Sequence, residues 1–396
     1  MQVEQILHEI LSNTIHQTRI KSLIPVINAI IKSKQLKLTQ LGRDLEVGAK
    51  ERSGIRRVDR LLSNPYYQKH AIEIYKAIVP HVICNQGRPI IVVDWTNMPN
   101  SHRYTDNGEF SALRASVIAE GRSITLYEEV HSKRVEGVDQ IHRAFLKKLK
   151  SILPATCRPY IVTDAGFKCP WFKAVLSLNW DYVGRVRGKS NFNSGNGFQS
   201  IQELFKMAST TPKSIGSIEL TKNNRLKTNC YLYKHKLQGR QRLNKSGNKA
   251  KNSVAMKAGA GYREPWVLVS SLDGYSAISK VIKIYKLRMT IEGSFRDLKS
   301  TEFGFSFNEN KTIKSERYTV WLLISSLAYL IAWIVGFAAE QANLQYDFQA
   351  NTYSHRRVLS FFYLGCRIIK KKIDIPIDLE SIRDKAWNQI NRSAIC

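Results

Sequence analysis

"RPIIVVDW" (residues 88–95) runs four β-branched residues together between a proline and an aspartate. A continuous β-branched run without polar alternation marks a strand buried on both faces. Closing such a strand on a carboxylate, Asp94, is costly unless something neutralises the charge. "PYIVTDAGF" (159–167) repeats the arrangement, with a short apolar strand that ends on Asp164. A single strand-end aspartate is ordinarily explained by a cap or an ion pair. Two of them, on separate strands of one chain, ask for a shared partner.

Working outward, "LRASVIAEGRSITLYEEV" (113–130) reads as two strands joined at a Glu-Gly turn. A helix with apolar positions Ile141, Phe145, Leu146, Leu149 and Ile152 follows. Beyond Asp164, "PWFKAVLSLNW" is helical and "DYVGRVRG" (181–188) is a fifth strand. The order strand, antiparallel hairpin, helix, strand, helix, strand is that of an α/β, ribonuclease-H-like catalytic core. Its first part spans residues 86–190 and its last part 277–341. Between them, residues 191–276 form a basic, β-rich insertion with strand-like pieces such as "GSIELTK" and "NCYLYKHK". From Lys222 to Arg263 there are twelve Lys or Arg and no Asp or Glu, which fits a solvated loop and a phosphate contact alike.

Residues 1–85 read as an N-terminal helical, DNA-binding domain. In "LTQLGRDLEVG" Thr39 is placed as a helix N-cap, and after a Gly/Ser break "GIRRVDRLLSN" forms a second helix. Two short helices carrying Arg56 and Arg57 suit a helix-turn-helix-like unit, although a small structural bundle has the same pattern. Residues 342–396 make a C-terminal helical region.

"YKLRMTIEGSFRDLKS" (285–300) is amphipathic at helical spacing. Wound as one helix, it places Tyr285, Arg288, Glu292 and Lys299 in a stripe about 60° wide. Ile284, Leu287, Ile291, Phe295 and Leu298 form the apolar stripe beside it. Asp297 projects from the opposite face, Glu302 lies beyond the helix end, and Asp181 opens a strand instead of closing one. Glu292 is therefore the third acid to set beside Asp94 and Asp164. Three hard oxygen donors suit Mg²⁺, which favours octahedral oxygen ligation and tolerates bound water and phosphate. A site of this kind in a ribonuclease-H-like core holds two Mg²⁺, with Mn²⁺ as a substitute, and drives in-line displacement at phosphorus.

Charge points to the same substrate. With 61 Lys plus Arg against 32 Asp plus Glu, the net charge of +29 implies a polyanionic partner, nucleic acid before an acidic membrane surface. The six cysteines are scattered without a CxxC pair, so neither a zinc site nor a disulfide framework is indicated and a reducing cytoplasm is expected. Val320 to Ala339 is a twenty-residue run without a charge, long enough to span a bilayer. It reads as a buried central helix, with no membrane partner.

The ordered motifs resemble a DDE transposase of the insertion-sequence-four family. That family carries Tyr, two residues, Arg, three residues, Glu, six residues, Lys, the spacing of Tyr285, Arg288, Glu292 and Lys299. "VDW" around Asp94, "TDAGF" around Asp164, "RVRG" (185–188) and "EPWVL" (264–268) also match family blocks, and the resemblance covers nearly the whole chain. It implies cut-and-paste transposition through a DNA hairpin, with Asp94, Asp164 and Glu292 as catalytic metal ligands. It implies phosphate contacts from Tyr285, Arg288 and Lys299 and a base-stacking probe at Trp266; Arg185 and Arg187 alternate onto one face of their strand, which is expected to turn towards DNA. The implied partners are double-stranded DNA, both terminal inverted repeats and target, and a second copy in a synaptic dimer acting on the bacterial nucleoid. The competing readings are a ribonuclease-H-fold nuclease or resolvase that cuts without joining, and a non-catalytic DNA-binding descendant.

Overall fold

The computed structural model describes residues 2–46, 48, 50–83, 87–99, 109–235 and 264–385. The chain divides into two units, residues 1–157 with 289–396, and residues 158–288.

The first unit opens with six helices: α1 (Gln2–Leu11), α2 (Gln17–Ser33), α3 (Leu38–Arg43), α4 (Glu51–Leu62), α5 (Pro65–Lys69) and α6 (Ala71–Ile83). Thr39 is not the cap expected of it. Helix α3 starts two residues earlier than such a cap implies, at Leu38 behind Lys37, with no side-chain cap bond. Nor is the Gly/Ser pair a break, because Ser53 and Gly54 lie inside α4. A Cβ on Gly54 would stand 2.1 Å from the Gly42 carbonyl oxygen, so glycine lets α3 and α4 cross in contact. Arg52, Arg56, Arg57 and Arg60 all stay exposed on α4.

Strands β1 (Ile90–Asn97), β2 (Phe110–Ala119) and β3 (Arg122–Ser132) form an antiparallel meander in the order β3-β2-β1. The β2–β3 turn is the expected Glu-Gly, with Gly121 at φ 65°. β1 does not end at Asp94 but runs three residues further, to Asn97. Every residue of β2 is buried, so both sheet faces are covered. On one face Phe145 of α7 (Asp139–Ile152) meets Tyr127 at 5.3 Å. On the other, Arg114 and Glu128 form a buried ion pair at 2.7 Å. Glu128 also accepts from the Tyr75 hydroxyl (3.0 Å) and the Ser326 hydroxyl (2.7 Å), which satisfies a charge that would otherwise be costly to bury.

The second unit holds β4 (Tyr160–Thr163), α8 (Cys169–Ser177), β5 (Asp181–Val186), β6 (Asn191–Asn193), β7 (Phe198–Ser200), β8 (Lys213–Leu220), β9 (Leu226–Tyr233), β10 (Trp266–Ser270) and α9 (Ala277–Lys286). β4 and β5 are parallel, as a strand–helix–strand crossover requires, and the order continues β10-β9-β8-β6-β7 with antiparallel pairing. Most of the acid-free basic run, residues 236–263, lies outside the described residues.

Residues 285–300 are not one helix. α9 ends at Lys286, Leu287 and Arg288 form a turn, and α10 (Met289–Lys299) begins afresh in the first unit. The turn is closed by short-range bonds from Leu287 N–H to Ile284 O (3.2 Å) and from Arg288 N–H to Tyr285 O (3.1 Å). No proline or glycine marks the break; packing at each side overrides a favourable helical pattern. Tyr285 and Arg288 belong to the second unit, and Glu292 and Lys299 to the first.

Helix α11 (Ser315–Gln341) carries the long apolar run, and all of its most apolar window is buried in the protein, as the core-helix reading requires. It crosses α12 (Phe361–Lys370) at paired glycines. A Cβ on Gly336 would stand 1.8 Å from Phe361 O, and one on Gly365 1.8 Å from Ala332 O. Cys157, Cys169, Cys230 and Cys366 are buried free thiols. The fold is α/β, a ribonuclease-H-like core with a β-rich insertion and helices towards both termini.

Candidate active site

In the first unit Asp94 is half-buried on β1, and its Oδ1 accepts the N–H of Trp95 at 2.9 Å. Thr96, two residues on, shares its strand face. From that face the Lys299 ammonium is held by Thr96 Oγ1 (2.7 Å) and Asn97 O (2.7 Å). Burial, reinforced by the nearby Arg114 cation, pulls the Lys299 pKa down to about 8. An i,i+2 step along a strand is about 7 Å, so the last turn of α10 brings a cation into the neighbourhood of Asp94. Glu292 is exposed in the first turn of the same helix, where a carboxylate complements the helix dipole. Asp297 points the other way, buried at 2.5 Å from Arg122, and is structural as its helical position predicts.

In the second unit Asp164 directly follows β4, where the sequence places it, and its Oδ1 accepts the Gly166 N–H at 2.8 Å. A Cβ on Gly166 would stand 2.9 Å from that same oxygen, so the glycine of "TDAG" keeps the carboxylate's space clear. Asp164 Oδ2 accepts no hydrogen bond among the described residues. Tyr285 is buried. Burial pushes its hydroxyl pKa up and the Asp164 charge adds to that, while Arg288 and Arg185 oppose it, so these four side chains share one neighbourhood.

Trp266 is half-buried at the start of β10, not sunk in a core. Its ring meets Tyr285 edge-on at 4.8 Å and His235 at 4.4 Å, with Tyr233 at 5.7 Å. The two strand arginines differ. Arg187 is ion-paired with Glu264, its Nε at 2.8 Å. Arg185 makes only 3.4 Å contacts to the Glu264 and Pro265 carbonyls, and its buried Nε has no partner among the described residues. Sequence reasoning missed Glu264 as the partner of Arg187 and His235 as a wall of the Trp266 cluster. The i,i+2 placement of Tyr233 and His235 was the available signal for the second.

The metal-binding potential rests on donor chemistry. Asp94, Asp164 and Glu292 offer hard carboxylate oxygens, and the open Oδ2 of Asp164 fits a hard divalent cation. Among the described residues no three His, Cys, Asp or Glu side chains stand together as a preformed metal cluster.

No curated protein matches the chain. Among solved structures, a cryo-EM structure of the piggyBac transposase synaptic complex with hairpin DNA is similar to it at 13% identity and a TM-score of 0.44, covering 98% of this chain and 81% of that one. The family model described as the transposase DDE domain matches residues 85–331, well over half of the chain. The chain belongs to the DDE-domain transposase family and is a DNA transposase.

Proposed function

We propose that this is a cut-and-paste transposase of the insertion-sequence-four type. It nicks one strand at each transposon end, directs the freed 3′-hydroxyl at the opposite strand to form a hairpin, reopens the hairpin and joins the ends to target DNA. The observation that carries this reading is the coincidence of motif and scaffold. Lys299 reaches the strand face that carries Asp94, and Asp164 leaves β4 beside Tyr285 and Arg288, so three of the four residues bearing the family spacing lie close to one or the other aspartate.

In this reading Asp94, Asp164 and Glu292 would hold two Mg²⁺, or Mn²⁺ in their place, which would supply activation of water at neutral pH and stabilisation of the leaving oxygen at phosphorus. Lys299 and Arg288 grip the phosphates of the cleaved end, Arg288 as a fork and Lys299 as a point charge. Tyr285 backs the Trp266 ring, which stacks on a base that leaves the duplex when the end is bent. Arg185 and Arg187 line the DNA path, and Arg56 and Arg57 on exposed α4 contact the terminal repeat. The five-segment division at residues 85, 190, 276 and 341, a synaptic dimer, and action on DNA in a bacterial cytoplasm belong to the same proposal.

The test uses duplexes cut from the inverted repeats that flank the reading frame. With Mg²⁺ the protein should yield nicked, hairpin and strand-transfer products. Asp94→Asn, Asp164→Asn and Glu292→Gln should each remove all three while still binding the duplex, because affinity comes from phosphate contacts elsewhere. Nicking without any joined product would favour a nuclease, and a variant that cleaves at the parent rate would take its residue out of the site.

A further inference from the structure

A second cluster of cations lies in the first unit, built from segments far apart in the chain. Lys34 closes α2 in a left-handed conformation (φ 55°), and its ammonium sits 4.8 Å above the Tyr363 ring of α12. One turn on, Arg367 stands 5.8 Å and Lys371 5.1 Å from the Phe348 ring. Lys370, Lys371 and Lys372 continue from the end of α12, all exposed. Of the nearby acids, Glu46 pairs with Lys32 at 2.9 Å and Glu309 pairs with Lys37, while the Lys34 ammonium donates to the Glu302 carbonyl at 2.9 Å. Burial pushes the Lys34 pKa down, and Lys370 and Arg367 push it the same way against Cys366 and Glu302, so these cations lie within electrostatic reach of one another.

Cations at a helix C-terminus complement its dipole, but that effect fades beyond the last turn. It does not account for Lys34 arriving from another helix, or for aromatic rings set between the cations. Cations interleaved with aromatics are what a nucleic-acid backbone and its bases select.

We propose that Lys34, Arg367, Lys370, Lys371 and Lys372, with the Tyr363 and Phe348 rings, form a DNA-backbone track that uses none of the candidate-site residues. The proposal rests on the DNA-transposase reading and adds a second contact surface to it. The phosphodiesters it takes can come from the transposon end or from target DNA.

The test compares the full-length protein with a triple variant, Lys370→Gln, Lys371→Gln and Lys372→Gln, chosen because these side chains are exposed. Binding to a random-sequence duplex and to a transposon-end duplex is titrated against salt. Each lost phosphate contact lowers the log–log slope by about 0.9, so a fall of about 2–3 is expected on at least one duplex. Loss on the random duplex with end cleavage retained assigns the track to target DNA; loss on the end duplex assigns it to the transposon end. An unchanged slope on both, with a lowered melting temperature, would make these lysines helix-end stabilisers and overturn the proposal. So would unchanged DNA binding alongside lost binding to phosphatidylserine vesicles. If the parent protein binds neither duplex, the DNA reading itself fails.

Discussion

The Lys299 ammonium donates to the Thr96 hydroxyl over 2.7 Å, although the two residues are 203 positions apart. This bond fastens the last turn of α10 to β1 two residues beyond Asp94, and a second one to Asn97 O fixes its direction. The Lys299 cation thus has a defined place on the strand face that carries the Asp94 carboxylate.

Lys299→Met should cut strand cleavage by about ten- to a hundredfold while lowering DNA affinity far less, because one positioned charge near the reacting phosphate acts mainly in the transition state. Thr96→Val keeps the charge but removes one of its two anchors, and should lose less activity than Lys299→Met. Single-turnover cleavage and gel-shift affinity measured on the same duplex separate the two effects. Equal losses of rate and affinity in Lys299→Met would make it a binding residue only.

Gly166→Ala should impair cleavage without unfolding the protein. The added methyl would lie 2.9 Å from Asp164 Oδ1, so the carboxylate must move away. A misplacement of about 1 Å at a reacting group can cost about a hundredfold in rate. An unchanged melting temperature with a cleavage rate near that of the parent would show that Asp164 tolerates the displacement.

Trp266→Ala should nick normally and form hairpins poorly. Bending a duplex end tightly takes a base out of the stack, and an aromatic ring returns about 1–3 kcal/mol of that loss. A mismatch or abasic site near the end should restore the step, since less stacking is then broken. Equal loss of nicking and hairpin formation would make Trp266 a support for Tyr285, its edge-on neighbour at 4.8 Å.

His142 should make the protein sensitive to acid. It is buried on α7 beside Trp95, whose indole Nε1 lies 3.3 Å from its Nε2, and burial pulls its pKa from 6.5 down to about 4. The unfolded chain therefore binds the proton first. Stability is full above about pH 6.5 and is lost as pH falls towards 4, at about 1.4 kcal/mol per pH unit where only the unfolded chain is protonated. Denaturant melts at pH 7 and pH 4.5 should show a smaller pH difference for His142→Gln than for the parent. An equal difference would place the acid sensitivity in other groups.

Much of the fold is legible in local sequence. The β-branched run before Asp94, the Glu-Gly hairpin and the strand ending at Asp164 are local patterns, and each forms the element it predicts. The uncharged run in α11 is ambiguous between membrane and core by composition, and its packing against α12 at Gly336 and Gly365 places it in the protein core. The pairing of Arg187 with Glu264 was not legible, because the two residues lie 77 positions apart and meet only when β10 pairs with β5.

The sequence alone determined which segments are buried strands, which are amphipathic helices, and which acids and bases carry the transposase spacing. Periodicity and β-branching act over a few residues and need no distant partner. Only the tertiary structure decided that residues 285–300 break at Leu287 and Arg288, sending Tyr285 into the Trp266 cluster and Lys299 to Thr96. One regular helix satisfies every local preference in that stretch. The break depends on packing against residues far away in the chain, and no local pattern contains that information.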